Sequence, residues 1–349
     1  MFKTEDFNFN LPSQLIAQEP FEEKEKTPML IYKDNQIIDK KINDLIDYFS
    51  DGDVMVFNKV KVIKAKFRGN IDNSDSFLDF NLDQELENGT WKALCRPAKK
   101  AKKSHKIIIA TDFFAEIVEK NDDGSIIIKF NAHGDKLTGL IEKYGEVPLP
   151  PYIKRSHHNP CDEKNYQTIY AASGAAVAAP TAGLHFTDNL LKKLLQKNIQ
   201  QIFLTLNVGA GTFLPVRTAN IQDHQMHHEK FILNDSQCDI INYAKKHQKK
   251  IIAVGTTSLR ALESSVDEFG LLTPQNRYTN IFIYPPYNFK VVDVLLTNFH
   301  LPKSTLFMLI CAFVGYENAM KIYQHAIANH YRFYSYGDAS LLFSSQIKY

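Results

Sequence analysis

The sequence predicts an α/β (mixed α+β) protein, with a larger domain of mixed sheet and flanking helices and an inserted small β-barrel. Its 349 residues suit about two domains. Strands and helices alternate after Tyr152, whereas the stretch before Pro150 consists of short apolar runs separated by tight turns. We therefore assign residues 1–62 and 152–349 to a discontinuous α/β domain and residues 63–151 to a barrel-like insert.

The first segment is expected to contain a β-hairpin. Apolar runs at 29–32 and 37–42 flank a polar turn. Asn43 is the expected cap of a short helix that ends at Phe49, and residues 54–57 form a short buried strand.

The insert is expected to consist mainly of strands, of which residues 107–110 and 126–130 are the clearest. One helix follows, with Asp135 as its N-cap and Gly145 as its stop signal. The proline-rich stretch 148–151 then forms a stiff, extended linker.

Apolar periodicity indicates the alternation of elements after Tyr152. A leucine stripe behind Thr187 or Asp188 predicts a helix. The later elements are a strand at 202–208, a helix at 239–248, a strand at 251–254, a helix at 257–266, a strand at 291–296 and a helix at 304–313. This order predicts a mixed sheet covered by helices.

Composition excludes several classes of protein. Hydrophobic residues make up 44% and charged residues 23%, which excludes a disordered or fibrous chain. A net charge of +2 excludes a histone-like protein, although a local basic patch remains compatible with it. The apolar run 306–314 is too short to span a bilayer, and the first residues lack a signal-peptide pattern. Because the four cysteines are widely spaced, we expect reduced thiols and a cytoplasmic protein. We also expect no membrane contact, and we favour a monomer.

Two stretches rich in small residues resemble ligand-binding loops. Residues 177–186 are too broken by proline and glycine for a core strand, and they contain His185, which can titrate near neutral pH. The alternative is a tight interdomain turn with a structural histidine. Residues 206–213 place two glycines after a strand but lack the rest of a dinucleotide fingerprint, so they predict at most a backbone cradle for a polar ligand.

The histidine-rich run 223–229 has three interpretations. Its spacing lacks the zincin pattern and no cysteine accompanies it, so we predict no metal site. Acid–base chemistry by a histidine or by Glu229 competes with an ordinary polar surface.

At 251–260, a strand leads through Gly255 into a hydroxyl-rich helix start. Such a start can bind an anion, and Arg260 lies one turn further on. Ordinary capping by Thr256 or Thr257 is the alternative.

The stretch 297–305 has the same pattern of a strand end, a polar loop and a helix start. Asn298 and His300 come after the next strand, at the edge where open α/β sheets bind ligands. The aromatic turn at 334–338 either stacks a base or ends a helix. The lysine-rich run 96–106 in the insert is either a solvated face or a contact for a phosphate backbone.

Taken in order, these motifs resemble the S-adenosylmethionine:tRNA ribosyltransferase-isomerase family of queuosine biosynthesis. The resemblance covers nearly the whole chain. The motifs that define it include Leu15-Ile-Ala-Gln-Glu-Pro20, Ala178-Ala-Pro-Thr-Ala-Gly-Leu-His-Phe-Thr187, Val208-Gly-Ala-Gly-Thr-Phe213, Gly255-Thr-Thr-Ser-Leu-Arg-Ala-Leu-Glu-Ser264, Thr297-Asn-Phe-His-Leu-Pro-Lys-Ser-Thr305 and Tyr336-Gly-Asp-Ala339. The chain departs from the family's usual pattern at Asn58-Lys-Val-Lys61, at Asp223 and at His228.

The resemblance implies a transferase that acts on tRNA. Its reaction moves the ribosyl part of S-adenosylmethionine to the aminomethyl group of 7-aminomethyl-7-deazaguanine at the wobble position and isomerises it. Epoxyqueuosine-tRNA forms, and adenine and methionine leave. The partner is then the anticodon arm, S-adenosylmethionine is consumed as a substrate, and no metal is expected.

The reaction needs proton transfers next to a sulfonium, at adenine and at an ammonium group, and such steps use histidine or carboxylate side chains. The sequence does not assign candidates to steps; they are His185, His227, Glu229, His300 and Asp338. The expected S-adenosylmethionine contacts are Pro180, Thr181, Gly183, Phe186, Gly209, Gly211, Thr212, Phe213, Gly255, Thr256, Thr257, Arg260, Asn298 and Tyr336. Among these, Arg260 or the helix start is expected to bind the methionine carboxylate, and Phe186, Phe213 or Tyr336 to stack on adenine.

Two other classes of function compete with this one. An S-adenosylmethionine-dependent methyltransferase would use the glycine turn, but that turn comes late in the chain and no helix follows it. A non-catalytic tRNA-binding protein would use the lysine run, but it leaves the polar strand ends unexplained.

Overall fold

A computed structural model of the chain describes residues 2–86, 88–155, 159–209 and 216–346. Within these residues, nine strands form one mixed sheet, six close into a barrel, and two form a small parallel pair. The predicted fold class is confirmed.

The strands are β1 (Pro28–Lys33), β2 (Gln36–Lys41), β3 (Val54–Asn58), β4 (Val60–Val62), β5 (Lys66–Ile71), β6 (Phe77–Glu85), β7 (Trp91–Arg96), β8 (Lys106–Ala110), β9 (Phe113–Lys120), β10 (Ser125–Phe130), β11 (Ser173–Ala176), β12 (Gln200–Leu206), β13 (Glu229–Leu233), β14 (Ile251–Val254), β15 (Gln275–Thr279), β16 (Val294–Asn298) and β17 (Ala339–Phe343). The α-helices are α1 (Gly134–Tyr144), α2 (Cys161–Asn165), α3 (Asp188–Gln196), α4 (Asp235–Lys246), α5 (Thr256–Ser264), α6 (Thr305–Val314) and α7 (Tyr316–Ala328).

The large sheet combines both ends of the chain. Its order is β15-β13-β12-β3-β14-β16-β17-β1-β2, so the N-terminal hairpin β1–β2 forms one edge and β3 lies near the centre. The four central strands β12, β3, β14 and β16 are mutually parallel, whereas β17 is antiparallel to β16. This topology places four carboxyl ends at the same edge of the sheet.

Alternating side chains explain why the sheet is covered on both faces. In β3, Val54 and Val56 pack into one core, and Met55 and Phe57 pack into the other. The first core also contains residues of α4 to α7, and the second contains Leu190 and residues of the 3₁₀ helix at 42–48. The result is a sheet between two helical layers, as the sequence predicted.

The barrel is closed in the order β10-β7-β6-β5-β8-β9, and its strands and α1 all lie within the predicted insert. It joins the large sheet through the parallel pair of β4, which follows β3, and β11, which precedes β12. Closure removes the exposed edges that a six-stranded open sheet would have.

Several predicted helix starts are wrong in detail. Asn43 does not cap the first helix, because that helix is 3₁₀ and begins at Ile42 after Lys41. The N-cap of α1 is His133 and not Asp135, although Gly145 ends the helix as expected.

The start of α4 lies four residues before the predicted one. Asn234 accepts a hydrogen bond from the Gln237 N–H, and the Gln237 side chain bonds back to the Asn234 N–H, which is a complete capping box. By contrast, Thr187 caps α3 as predicted, and Ser304, predicted as the first residue of α6, is its N-cap.

In the described residues, no single helix is long and apolar enough to cross a membrane. The adjacent helices α6 and α7 reach that length and hydropathy only when they are taken together, and the chain bends by 114° between them. The four cysteines are free, as expected.

Candidate functional site

Three asparagines and one glycine lie at, or directly after, the carboxyl ends of the four central strands. Asn58 ends β3, Asn207 follows β12, Gly255 follows β14, and Asn298 ends β16. Because these strands are parallel neighbours, the four positions lie side by side at one edge of the sheet. Sequence analysis predicted three of these strand ends, those of β12, β14 and β16, as ligand sites.

Two adjoining cavities lie along this edge. The inner cavity has about 80 Å³ and lies over the ends of β14 and β16. The outer cavity has about 640 Å³ and separates the barrel from the sheet. Val208 and Leu306 line both cavities, so the two cavities are neighbours at these residues.

The inner cavity collects several predicted residues from distant parts of the chain. Its wall combines the loop before α3, the start of α5 and the end of β16. The predicted residues that line it are Pro180, Thr181, Gly255, Thr256, Thr257, Asn298 and His300.

Asn298 connects this cavity to the 3₁₀ helix Thr181–His185. Its carboxamide oxygen accepts a hydrogen bond from the Thr181 hydroxyl at 3.0 Å, and its nitrogen lies 3.4 Å from the carbonyl oxygen of Gly337. Since a carbonyl can only accept, the carboxamide nitrogen must be the donor on that side, and it also donates to His185 Nε2 at 3.3 Å. His185 therefore carries its proton on Nδ1.

His185 is a buried, neutral imidazole. Burial, together with the charges of Lys24 and Arg332, lowers its pKa to about 3. It lines a small recess behind the inner cavity. In this position it orients Asn298 by accepting a hydrogen bond from it.

His300 reaches the inner cavity itself. Its Nε2 lies 3.1 Å from Thr297 Oγ1, and its backbone N–H donates to the Tyr323 hydroxyl. Burial lowers the pKa of His300 to about 3, so this ring is also neutral at physiological pH.

Glu229 and Arg260 form a buried ion pair at the wall of the outer cavity. Arg260 Nη2 lies 2.5 Å from Glu229 Oε2, and both residues are buried. The guanidinium that was expected to bind a methionine carboxylate thus already has a carboxylate partner. His227 lines the same cavity and is exposed.

Gly209 faces the barrel across the outer cavity. A Cβ at this position would lie 3.0 Å from Asp83 Oδ1, so Gly209 and the Asp83 side chain of the barrel are close neighbours. The predicted contacts Gly211, Thr212 and Phe213 lie outside the described residues.

Two predicted contacts lie in the core. Phe186 is completely buried and packs edge-on against Phe57 at 4.9 Å between ring centroids. Gly183 is needed for packing, because a Cβ there would lie 2.0 Å from the Tyr170 hydroxyl oxygen. Neither residue lines the inner or the outer cavity.

Asp338 and Tyr336 also lie apart from both cavities. Asp338 accepts hydrogen bonds from the Arg332 backbone N–H and from its guanidinium, and burial raises the pKa of this carboxyl. Tyr336 is buried, contacts the Tyr166 ring edge-on at 5.9 Å, and lines the recess that contains His185.

Sequence analysis missed the barrel residues of the outer cavity. Asp83, Glu85, Trp91 and Lys92 of β6 and β7 line it. No local pattern marks them, because their role follows from how the barrel lies against the sheet. Asn58 was noted only as part of a motif; its side chain bonds to both the N–H and the C=O of Leu206, which fixes the start of the glycine loop.

Among the described residues, no three His, Cys, Asp or Glu side chains are close enough to hold a metal ion. The expectation of a metal-free site stays a prediction.

The fold and the paired cavities are typical of α/β proteins that bind small molecules at the carboxyl edge of the sheet. The family described as "Queuosine biosynthesis protein" matches residues 4–342, and the chain belongs to this family.

Named relatives resemble the chain over nearly its full length. The S-adenosylmethionine:tRNA ribosyltransferase-isomerase of Rickettsia bellii is 44% identical, covering 98% of this chain and 99% of its own. The protein of the same name from Fusobacterium nucleatum is also 44% identical, covering 97% of this chain and 96% of its own. A crystal structure of S-adenosylmethionine tRNA ribosyltransferase from Thermotoga maritima is 32% identical, covers 97% of this chain and all of that one, and has a TM-score of 0.54.

Proposed function

We propose that this chain is an S-adenosylmethionine:tRNA ribosyltransferase-isomerase. It transfers the ribosyl part of S-adenosylmethionine to the aminomethyl group of 7-aminomethyl-7-deazaguanine at the tRNA wobble position and isomerises that ribosyl part. Epoxyqueuosine-tRNA is formed, and adenine and methionine are released. The observation that supports this proposal most strongly is the 44% identity to relatives of that name over 98% of the chain.

The two cavities suit a reaction between a small molecule and a large one. The inner cavity is the smaller one and is lined by hydroxyl, amide and imidazole groups. The outer cavity is larger and lies between barrel and sheet, where a base on a tRNA loop has room to enter. S-adenosylmethionine then spans the boundary at Val208 and Leu306, with its ribose next to the incoming base.

His300 is the candidate base for the first proton transfer because it lines the inner cavity and is neutral, although the burial that lowers its pKa to about 3 also makes the ring a weaker base. Protons on the ribose carbon beside a sulfonium are acidified, and a neutral imidazole has a lone pair that can accept one. A protonated histidine would lack that lone pair and would repel the sulfonium. His185, whose Nε2 accepts from Asn298, orients the wall of the inner cavity.

The carboxylate of Glu229 suits the second substrate. The aminomethyl group is a cation before it reacts, and it must lose a proton before its nitrogen attacks. Glu229 and the exposed His227 both line the outer cavity. Because Arg260 already pairs with Glu229, this carboxylate accepts the ammonium only as a partner shared by two cations, and His227 is placed to exchange protons with solvent. Arg260 fixes the position of Glu229 through their ion pair.

Labelled substrate distinguishes this function from its alternatives. S-adenosylmethionine labelled separately in its ribose and in its methyl group is incubated with the protein and tRNA that carries the deazaguanine precursor. Ribose label in the tRNA is the expected result. Methyl label in the tRNA would indicate a methyltransferase, and tRNA binding without either label would indicate a non-catalytic binding protein.

The proposed reaction uses no bound metal. The proton transfers proposed above use side chains only, so dialysis against EDTA is expected to leave the rate of ribosyl transfer unchanged. The assay restores Mg²⁺ for tRNA folding only. A specific requirement for another divalent ion, at constant Mg²⁺, would contradict this expectation.

A further inference from the structure

The N-terminus of α5 presents hydrogen-bond donors to the inner cavity. The helix has nine residues and follows Gly255. The φ of 87° at this position favours glycine, and a glycine has no side chain that could cap the helix. The N–H groups of a first helical turn have no acceptors within the helix. In this turn, all of which the structure describes, no residue is acidic. The partial positive charge of the helix end is therefore directed at the cavity without compensation.

Thr257 gives an independent indication of a ligand at the same place. It lines the inner cavity and is only 7% exposed, and its Oγ1 has no hydrogen-bond partner among the described residues. A Cβ on Gly255 would lie 3.5 Å from this oxygen, so the hydroxyl points back toward the start of the helix. The neighbouring Ser258 hydroxyl, by contrast, donates to the Val254 carbonyl. A buried hydroxyl without a partner is costly, and an acceptor that enters the cavity would satisfy it.

The size and lining of the inner cavity restrict the ligand group. No Asp, Glu, Lys or Arg is among the described residues that line it, so an anion here is bound by dipoles and hydrogen bonds. At about 80 Å³ the inner cavity is much smaller than the outer cavity of about 640 Å³. A small polar group such as a carboxylate suits the inner cavity better than the bulkier adenosyl group does.

Arg260, the other candidate for a carboxylate, is less suitable. It lies one turn further along α5, lines the outer cavity and is paired with Glu229. A substrate carboxylate at this guanidinium would have to compete with the carboxylate already there.

We propose that the α5 N-terminus and the Thr257 hydroxyl bind the carboxylate of the methionine part of S-adenosylmethionine. This inference rests on the proposed function. It fixes the orientation of the substrate: the carboxylate lies at the helix start in the inner cavity, and the sulfonium with its ribose carbon lies at the boundary formed by Val208 and Leu306, next to the cavity that His300 lines. The rest of the ribose and the adenine extend into the outer cavity. The ribose then lies on the side where the tRNA base enters.

The test compares S-adenosylmethionine with decarboxylated S-adenosylmethionine, which retains the sulfonium and the adenosine but lacks the carboxylate. Dissociation constants of both are measured by calorimetry for the wild type and for Thr257→Val, Thr257→Ser and Arg260→Gln. Unreactive tRNA with guanine at the wobble position is present, so that no turnover occurs. Thr257→Val removes the hydroxyl at nearly constant volume, and Thr257→Ser keeps it. If Thr257→Val does not fold, Thr257→Ala replaces it.

The wild type is expected to bind S-adenosylmethionine about tenfold to a hundredfold more tightly than the decarboxylated form, the range for hydrogen bonds to a charged group. Thr257→Val should bind S-adenosylmethionine about tenfold more weakly than the wild type and should bind the decarboxylated form equally well. Thr257→Ser should keep the wild-type ratio of the two dissociation constants. The inference is wrong if Thr257→Val weakens both ligands equally or neither, or if Arg260→Gln alone abolishes the preference. Failure of the proposed function looks different: the wild type would then transfer no ribose label to precursor tRNA.

Discussion

Burial keeps both His185 and His300 neutral, but the two rings have different contacts. Burial lowers the pKa of each ring to about 3. His185 Nε2 is occupied by the Asn298 carboxamide, which is itself held by Thr181 and Gly337. The His300 ring instead contacts the Thr297 hydroxyl and lines the inner cavity. In the proposed function, His185 therefore positions Asn298, and His300 is the candidate base.

The neutral state of His185 predicts how stability depends on pH. Its folded pKa of about 3 lies below the value of about 6.5 in an unfolded chain, so only the unfolded state gains a proton between these values. Stability is therefore fully present above about pH 6.5 and is lost as the pH falls toward 3. Between pH 7 and pH 5 this one ring should account for about 2 kcal/mol.

Urea unfolding at pH 7 and pH 5 measures this contribution. His185→Gln should be less stable than the wild type at pH 7 but should lose about 2 kcal/mol less on going to pH 5. The exposed His133, changed to Gln, serves as the matched control and should keep the wild-type pH dependence. The same pH dependence in His185→Gln as in the wild type would contradict the assignment.

Some site residues were predictable from local sequence and others were not. Thr257, Asn298 and His300 follow apolar strands, and parallel strands bring such positions to one edge, so their convergence follows from the pattern. The pairing of Glu229 with Arg260 joins strand β13 to a helix residue 31 positions later in the chain and has no local signal. Asp338 was expected at the site because it ends a polar motif, but its carboxylate is bound to Arg332.

The 3₁₀ helix Thr181–His185 brings Thr181 to the cavity and His185 behind it, and its path depends on Gly183. A Cβ at Gly183 would lie 2.0 Å from the Tyr170 hydroxyl oxygen and 2.9 Å from Thr168 Cγ2. Gly183→Ala should therefore destabilise the protein by about 1–3 kcal/mol through overpacking.

A second substitution tests the cause of that loss. The Tyr170 hydroxyl is buried and has no hydrogen-bond partner among the described residues, so Tyr170→Phe alone should be nearly neutral. Combined with Gly183→Ala, it removes the nearest obstructing atom and should recover a large part of the lost stability. Additive effects of the two changes in urea unfolding would show that the clash is not the cause.

The lysine run lies on the surface of the barrel. Lys99, Lys100, Lys102 and Lys103 are exposed, and none forms an ion pair with an acidic side chain in the described part of the chain. If the barrel contacts the anticodon arm, changing all four to Gln should weaken tRNA binding. The slope of log affinity against log salt should fall by roughly 0.7–0.9 for each lost contact.

The matched control changes four exposed lysines outside the barrel, at Lys40, Lys41, Lys246 and Lys321. It alters the net charge equally and should leave the slope close to that of the wild type. If the slope of log affinity against log salt is unchanged in the barrel variant, the lysine run is a solvated face that does not contact tRNA.

The boundaries of elements were less predictable than their existence. The strand at 251–254 was predicted at its observed bounds because a short apolar run is bounded by a glycine. The α4 start was misplaced because its first turn, Asp235 to Cys238, is mostly polar, although Asn234 and Gln237 form a readable capping box. The sheet order could not be derived at all, since it depends on contacts between both ends of the chain.

At the scale of the whole molecule, the site exists because the barrel is inserted into the α/β domain. The chain leaves the sheet after β3, forms the barrel, and returns through β11 before β12. The barrel therefore lies beside the carboxyl edge, and the outer cavity has one wall from each part. Neither part alone would form both walls of this cavity.

A crystal structure of the full chain with S-adenosylmethionine tests the central claim most directly, namely that this edge of the sheet is the substrate site. Density is expected across the inner and outer cavities, with the sulfonium near Val208 and Leu306 and His300 facing the ribose. A further cavity of about 540 Å³ lies between the barrel and the linker 147–151 and provides the internal comparison. Ordered S-adenosylmethionine in that cavity, or anywhere away from the carboxyl ends of β14 and β16, would contradict the claim.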